Sequence, residues 1–167
     1  IAFFVLVTLA TFSTGVIDGV DGLSGGVMSA VFTAYGMIAY AHGQVDIAAL
    51  CFVILGGIMA FLWFNIPPAL FYLTEPGMLS LSLSLSVIAF LTDAVMYLPI
   101  IAFPLLMTTL SVILQLLWKK FFKKKLFLVA PLHHHFQAKG WPAAKVTMRY
   151  WIVSYMCAML GVVIVLV

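Results

Sequence analysis

Charged residues are scarce in this chain. Of its 167 residues, only eight are Lys or Arg and five are Asp or Glu, whereas 65% are apolar. Soluble domains are about 25% charged and about 45–50% apolar, so this composition excludes an ordinary soluble domain. In a bilayer, backbone groups must pair within the protein, which favours helices for long apolar runs. The composition therefore predicts an all-α integral membrane protein.

Cysteine and strand-like alternation are also rare. Cys51 and Cys157 each lie in an apolar run with no second Cys or His at metal-ligand spacing, so neither a disulfide nor a structural metal site is predicted. Only residues 80–86 alternate Ser with Leu, whereas a membrane barrel would repeat such segments. The opening residues lack the basic start and cleavage pattern of a signal peptide. We expect them to end a helix that begins upstream, and the chain to be the C-terminal portion of a longer protein.

Six apolar runs predict a polytopic transmembrane helix bundle of about six helices, in a single domain covering residues 1–167. The runs are residues 1–14, which is incomplete, 23–40, 47–64, 78–91, 96–118 and 148–167. In a serpentine bundle the first, third and fifth connectors lie on one side. All eight Lys and Arg fall between Lys119 and Arg149, so the positive-inside rule predicts cytoplasmic loops at about 15–22, 65–77 and 119–147.

The first and third of these loops carry acidic residues. Asp18 and Asp21 are flanked by glycines such as Gly19, which let backbone N–H groups come close to a ligand, and carboxylates suit a hard cation. A plain turn with an Asp helix cap explains the same residues. In the third loop, the ring of Tyr72 can stack on a base or pack on the bundle. Glu75 can bind a metal, or its negative charge can simply stabilise the N-terminus of the next helix.

The fifth loop contains three consecutive histidines, His133, His134 and His135. Imidazole suits Zn or Cu, but three consecutive residues of a regular helix cannot all point at one ion. Hydrogen bonds to phosphate oxygens, with lysines adding positive charge, fit the pattern better. The lysines of residues 119–125 are expected mainly to fix the topology and contact anionic lipid. We expect the carboxylates and imidazoles of the three loops to meet at one cytoplasmic membrane face.

Four large aromatic side chains bracket the histidines. Aromatic rings with a polar atom favour the membrane–water interface. We therefore predict an anchoring role for Trp118, Trp141, Tyr150 and Trp151.

The sequence APLHHHF, followed by KGWP and K-V-x-x-R-Y-W, resembles the C-terminal half of the phospho-N-acetylmuramoyl-pentapeptide transferase family. D-G-x-D-G-L and F-N-x-P-P-A carry the same resemblance, which runs from Asp18 to about Trp151. This family belongs to the polyprenyl-phosphate N-acetylhexosamine-1-phosphate transferases, and the triple His is specific for its branch. The resemblance implies Mg²⁺-dependent transfer of phospho-N-acetylmuramoyl-pentapeptide from its UDP conjugate to undecaprenyl phosphate. The products would be UMP and lipid I, for peptidoglycan and cell-wall synthesis during cell division and shape maintenance.

The resemblance also implies roles for individual residues. Glu75 stands where the family has its metal-binding aspartate, and Tyr72 stands where an aromatic ring stacks on uracil. Asp18 would face the nucleotide and its phosphates. The implied catalytic residues are Asp18, Glu75, His133, His134 and His135, with Glu75 as the metal ligand. The implied substrate-binding residues are Asn65, Tyr72, Gly19 and Asp21.

The implied partners are UDP-N-acetylmuramoyl-pentapeptide, undecaprenyl phosphate and the lipid bilayer, with a homodimer as the expected assembly and no nucleic acid. The implied location is the bacterial inner membrane, with the active site facing the cytoplasm.

The sequence departs from the family in several places. Glu75 is one methylene longer than the usual Asp, and Gly15 and Ile17 stand where Asn and Thr are usual. The family's paired aspartates and a lysine near the nucleotide lie upstream of residue 1. We therefore expect the chain alone to be inactive and the longer parent to be active.

Three other functions are compatible with the same residues. The first is a related transferase that moves GlcNAc-1-phosphate from UDP-GlcNAc to a polyprenyl phosphate. The second is a transporter or metal-binding membrane protein that uses the histidines. The third is a non-catalytic scaffold, which the substitutions at Gly15, Ile17 and Glu75 would allow.

Overall fold

A computed structural model describes residues 15–167, and they form helices with no strand among them. In chain order the elements are α1 (Leu23–Ala41), α2 (Val45–Asn65), α3 (Thr74–Leu91), a 3-10 helix (Val95–Tyr97), α4 (Leu98–Ile101), α5 (Phe103–Phe122), α6 (Leu132–Ala138) and α7 (Ala143–Leu166). Helices α1, α2, α3, α5 and α7 are long and apolar enough to cross a membrane. The predicted all-α membrane bundle is confirmed, and the predicted first span, residues 1–14, lies outside the described residues.

Helix α1 forms the centre of the described bundle and packs mainly against α2 and α7. Its large side chains Phe32 and Tyr35 are fully buried. The outer helices instead leave large apolar side chains exposed, such as Trp63 at 80% and Val53 at 73% on α2. Exposed apolar surface of this extent marks contact with lipid or another protein. This arrangement is that of a multi-pass membrane protein.

Helix α3 begins at Thr74, four residues before the predicted span, so it is 18 residues long and can cross a bilayer. The alternation of Ser and Leu at residues 80–86 therefore lies in a helix and not in a strand. Each hydroxyl donates a hydrogen bond to a carbonyl of the preceding turn of the same helix, at 2.7–2.9 Å, in Ser80, Ser82, Ser84 and Ser86. These bonds satisfy the hydroxyl groups inside an apolar environment.

The predicted span 96–118 is interrupted in the structure. The 3-10 helix and α4 precede a break at Ala102, after which α5 begins. Pro99 and Pro104 lie in the first turns of α4 and α5, where proline is tolerated because the missing N–H has no partner in the helix. The prolines therefore explain why one apolar run contains two helices.

The fifth connector is shorter than predicted because both flanking helices extend into it. Helix α5 continues to Phe122 and ends at Lys123, whose φ of 54° is left-handed. Helix α7 begins at Ala143 rather than at residue 148. Between them, the Gln115 side chain accepts hydrogen bonds from the N–H groups of Leu126 and Phe127, so the chain folds back along α5.

The connectors separate into two groups at opposite ends of the bundle. At one end, Gln44 of the second connector donates to the carbonyl of Leu91 at 2.9 Å, at the end of α3 where the fourth connector begins. At the other, the Asp21 carboxylate accepts from the N–H of Ala69 at 3.2 Å, and the Asp21 carbonyl accepts from Thr147 at 3.0 Å. The first, third and fifth connectors therefore lie together, in agreement with the serpentine prediction.

Candidate functional site

Residues 15–22, here called the acidic loop, form the floor of the candidate site. The Asp18 carboxylate accepts a hydrogen bond of 2.7 Å from the Ser24 hydroxyl in the first turn of α1, and it stays partly exposed. Gly22 has a left-handed φ of 72° at the start of α1, a conformation that favours glycine. The Asp-Gly pair at 21–22 is therefore a tight turn, and the carboxylate of Asp18 remains accessible beside it.

Side chains from two distant helices hold the backbone of the acidic loop. The Gly22 N–H donates to Asn65 Oδ1 at 2.9 Å, at the end of α2. From α7, Thr147 donates to the Asp21 carbonyl at 3.0 Å, and the Trp151 indole N–H donates to the Gly22 carbonyl at 2.9 Å. The position of the acidic loop thus depends on α2 and α7 as well as on α1.

Asn65, a predicted substrate-binding residue, is 3% exposed. Its Oδ1 accepts from Gly22, and its Nδ2 donates to the Phe71 carbonyl at 2.9 Å. The side chain therefore joins the first connector to the third. Its predicted contact with uridine stays a prediction.

The histidines lie on α6, whose first residue, Leu132, donates its N–H to Ser111 on α5 at 3.0 Å. His133 and His134 both present Nε2 to the acidic loop. A β-carbon added at Gly19 would lie 2.8 Å from Nε2 of His133 and 3.0 Å from Nε2 of His134. A side chain at position 19 would have to displace the tips of both imidazoles, so the acidic loop and the two histidines approach closely here. The predicted meeting of the first and fifth connectors is confirmed.

The three histidines do not share one environment. His134 Nδ1 lies 2.7 Å from Gln137 Oε1, and because a carbonyl oxygen only accepts, Nδ1 carries the proton. The other ring nitrogen, Nε2, faces Gly19 of the acidic loop. His135 points elsewhere, since its Nδ1 accepts from the Leu128 N–H at 3.2 Å and its ring contacts Phe127. Its predicted catalytic role stays a prediction.

His133 is fully buried, and neither ring nitrogen has a hydrogen-bond partner among the described residues. Burial, and secondarily the neighbouring His134, lowers the pKa of His133 to about 4. A buried imidazole without a partner is stable only when neutral. At neutral pH the site therefore contains an uncharged His133 beside a partly exposed His134, whose ring centroid lies 4.3 Å away.

Tyr72 and Glu75 lie at the edge of this group. Tyr72 is 60% exposed, and Glu75 is exposed in the first turn of α3. No hydrogen bond or ion pair joins either side chain to another residue within 15–167. The neighbouring Phe71 instead packs on Phe61 and Phe64. Their predicted contacts with uracil and a metal stay predictions.

The described part of the chain contains no group of three or more His, Cys, Asp or Glu side chains that could hold a metal ion. The Asp18 carboxylate accepts a hydrogen bond from Ser24, and neither Asp18 nor Glu75 belongs to a group of three such side chains among residues 15–167. Mg²⁺ needs near-octahedral oxygen coordination. The donor set on residues 15–167 therefore does not fit a metal centre built by these residues alone.

An apolar cleft of about 290 Å³ lies on the other side of the histidine helix. Leu132 and Phe136 of α6 line it, together with Pro104 of α5 and Val153 of α7. At its rim the Phe136 ring stacks on Trp141 at 4.9 Å. Helix α6 thus presents imidazoles to the acidic loop and apolar side chains to the cleft.

The sequence did not reveal the contacts of the predicted anchoring residues. Trp151 donates its indole N–H into the acidic loop, and Trp141 lies between Phe136 and the Arg149 guanidinium, which is 4.2 Å from its ring centroid. Thr147 is not among the site residues predicted from the sequence. The available signal was the four-residue spacing of Thr147 and Trp151, which places both on one face of a helix.

Residues 1–94 match the sequence model of glycosyl transferase family 4. The chain is also similar to proteins named phospho-N-acetylmuramoyl-pentapeptide-transferase. That of Levilactobacillus brevis is 36% identical over 167 residues, covering 99% of this chain and 52% of the relative. That of Rubrobacter xylanophilus is 38% identical over 144 residues, covering 86% and 44%.

The protein of the same name from Chlorobaculum parvum is 35% identical over 170 residues, covering 89% of this chain and 46% of the relative. The chain therefore spans about half the length of the curated relatives that it matches.

Proposed function

The chain belongs to glycosyl transferase family 4, and from that premise we propose that it takes part in forming lipid I for peptidoglycan synthesis. The proposed reaction transfers phospho-N-acetylmuramoyl-pentapeptide from its UDP conjugate to undecaprenyl phosphate and releases UMP. The names of the similar proteins confirm the resemblance seen in APLHHHF and D-G-x-D-G-L. The observation that carries the proposal is the contact of the acidic loop with the histidine helix at one end of a membrane bundle.

The site has groups suited to phosphoryl transfer. An oxygen of the lipid phosphate attacks the β-phosphorus of the UDP conjugate, and the bond to UMP breaks with its electrons leaving on UMP. Catalysis of such a step is mostly positioning and charge stabilisation. Asp18 is fixed through Ser24, and His134 is fixed through Gln137. When protonated, His134 can donate from Nε2 to a phosphate oxygen while Nδ1 keeps its bond to Gln137.

The apolar cleft beside α6 supports the lipid half of the proposal. A polyprenyl phosphate needs an apolar surface for its chain next to a polar site for its phosphate. Leu132 and Phe136 face the cleft, whereas His133 and His134 of the same short helix face the acidic loop. The chain of undecaprenyl phosphate is proposed to lie along this cleft.

A magnesium requirement belongs to the proposal through the resemblance alone, with Glu75 as the proposed ligand. No step of the transfer is assigned to the ion, because the described residues do not form a metal centre of their own. The proposed location is the bacterial inner membrane, with the site facing the cytoplasm where the soluble UDP donor is found. A homodimer is also proposed, and chemical cross-linking in membranes tests it.

The test is an assay of membranes from cells that express the full-length protein that contains this sequence. We expect UMP release from UDP-N-acetylmuramoyl-pentapeptide that depends on both undecaprenyl phosphate and Mg²⁺. UMP release at background level would overturn the proposal. Competition distinguishes the nearest alternative: UMP release from UDP-GlcNAc that excess UDP-N-acetylmuramoyl-pentapeptide does not inhibit would indicate the related GlcNAc-1-phosphate transferase. Tight zinc binding that is lost in His134→Ala, without any dependence on nucleotide, would indicate a metal-binding membrane protein.

A further inference from the structure

Helix α7 contacts the acidic loop through two side chains spaced one helical turn apart. Thr147 donates to the carbonyl of Asp21, and Trp151 donates to the carbonyl of the next residue, Gly22. Thr147 is fully buried. The Trp151 indole lies so close to α1 that a β-carbon added at Gly26 would overlap it, at 1.7 Å from Nε1. Two consecutive carbonyls of the loop are thus held by one rigid helix.

These contacts determine where the acidic side chains lie. The Gly22 peptide is held on both sides, because its N–H donates to Asn65 while its carbonyl accepts from Trp151. Asp18 and Asp21 lie within four residues of Gly22, and the Asp18 carboxylate accepts a hydrogen bond from Ser24, two residues after Gly22. Between Asp18 and Gly22 the loop forms turns, with backbone hydrogen bonds from Gly19 to Ile17 and from Leu23 to Val20, and the contacts from α2 and α7 add to these.

We propose that Thr147 and Trp151 are positioning residues, which hold the acidic loop against the histidine helix at the distance that the transfer step requires. The inference rests on the proposed function for its catalytic meaning. Neither side chain needs to touch a substrate. A displacement of about 1 Å in a reacting group can lower turnover about a hundredfold, so modest movement of the loop has a measurable effect.

The chain offers a matched control on the same helix. Tyr155 lies one turn beyond Trp151, and its hydroxyl lies 3.0 Å from the Ser29 hydroxyl on α1. This contact also joins α7 to α1, but it lies in the bundle and away from the acidic loop. Tyr155→Phe therefore removes a hydrogen bond between α7 and α1 but leaves every hydrogen bond to the acidic loop in place.

The experiment compares Thr147→Val, Thr147→Ser, Trp151→Phe and Tyr155→Phe in the expressed protein, with kcat and KM measured per folded enzyme. Thr147→Val and Trp151→Phe are each expected to lower kcat about tenfold while KM for the UDP donor changes less than about twofold. Thr147→Ser keeps the hydroxyl and should restore kcat to within about twofold of the unmodified protein. Tyr155→Phe should leave kcat unchanged. The proposal would be overturned if kcat fell equally in Thr147→Val, Trp151→Phe and Tyr155→Phe. It would also be overturned if kcat did not fall in Thr147→Val and Trp151→Phe.

Hydrogen–deuterium exchange gives a readout that does not depend on activity. Amides of residues 15–26 should exchange about tenfold faster in Thr147→Val and Trp151→Phe, and at the unmodified rate in Tyr155→Phe. Unchanged exchange in the first two variants would contradict the positioning role even if turnover falls. If the unmodified protein releases no UMP, the proposed function fails by itself, and exchange still decides whether α7 holds the loop.

Discussion

The acidic loop and the stretch from Tyr72 to Glu75 are both predicted to contact the nucleotide end of the substrate, but the structure holds them differently. Backbone and carboxylate groups of the acidic loop are bonded to α1, α2 and α7. Tyr72 is 60% exposed, and the side chain of Glu75 makes no hydrogen bond within the described residues. The acidic loop is therefore positioned by side chains of the bundle, whereas no hydrogen bond within the described residues holds the side chains of Tyr72 and Glu75.

The largest effect is expected at the carboxylate that the fold fixes. Asp18→Asn keeps the shape of the side chain but removes its charge, and we expect kcat for UMP release to fall about 10²–10³-fold. Asp93→Asn is the matched control, because Asp93 is an exposed residue after α3 at the opposite end of the bundle. Kinetic assays in membranes measure both variants. Equal activities would show that the acidic loop has no part in the chemistry.

The next effect is on the free energy of unfolding, which should respond to a substitution beside the acidic loop but not to one in the stretch from Tyr72 to Glu75. Asn65→Leu leaves the Gly22 N–H and the Phe71 carbonyl without partners, which costs about 2–4 kcal/mol of unfolding free energy. Tyr72→Ala changes an exposed side chain and should stay within about 0.5 kcal/mol. Thermal unfolding of the protein in detergent provides the measurement. If Tyr72→Ala proved the more destabilising of the pair, the proposed difference between the regions would be wrong.

A smaller effect on turnover is expected at Glu75, because no hydrogen bond or ion pair within the described residues holds its carboxylate in place. Glu75→Gln should lower Mg²⁺-dependent turnover about tenfold, whereas Glu75→Asp should keep it within about threefold, since a carboxylate remains. Titration of activity with Mg²⁺ measures both. Turnover that is indifferent to Glu75→Gln would favour the scaffold alternative for this stretch.

The smallest effect concerns His133, which lies against the acidic loop. Its pKa is lowered to about 4, below the ordinary value of 6.5. Between these values the unfolded chain binds a proton that the folded chain does not, so stability falls as the pH falls from about 6.5 to about 4. The decrease in melting temperature from pH 7.5 to pH 5 should be smaller by about 2–4 °C in His133→Gln. His42→Gln, at an exposed position on the other end of the bundle, should show the unmodified decrease.

The fold was largely predictable because apolar runs and short connectors determine a serpentine bundle. The break at Ala102 was predictable in principle from Pro99 and Pro104, which flank it. The candidate site was predictable in part: residue types and loop sides indicated that Asp18 and His134 share one end. The bonds from Thr147 and Trp151 to the acidic loop depend on the rotation of α7 in the bundle, which no local pattern of the sequence specifies.

The direction in which His135 points likewise depends on how a helix is rotated in the bundle. Consecutive residues on a helix point in different directions, and only the packing of α6 decides which of them face the acidic loop. The structure turns His133 and His134 toward Gly19 and leaves His135 bonded to Leu128.

Cross-linking of the acidic loop to the histidine helix tests the central claim most directly. Gly19→Cys and His134→Cys would be combined with Cys51→Ala and Cys157→Ala, treated in membranes with a short bis-maleimide and mapped by mass spectrometry. We expect a Gly19–His134 cross-link and none when His134→Cys is replaced by Asp93→Cys, because a bilayer core of about 30 Å separates the two ends. A cross-link to position 93 without one to position 134 would contradict the account.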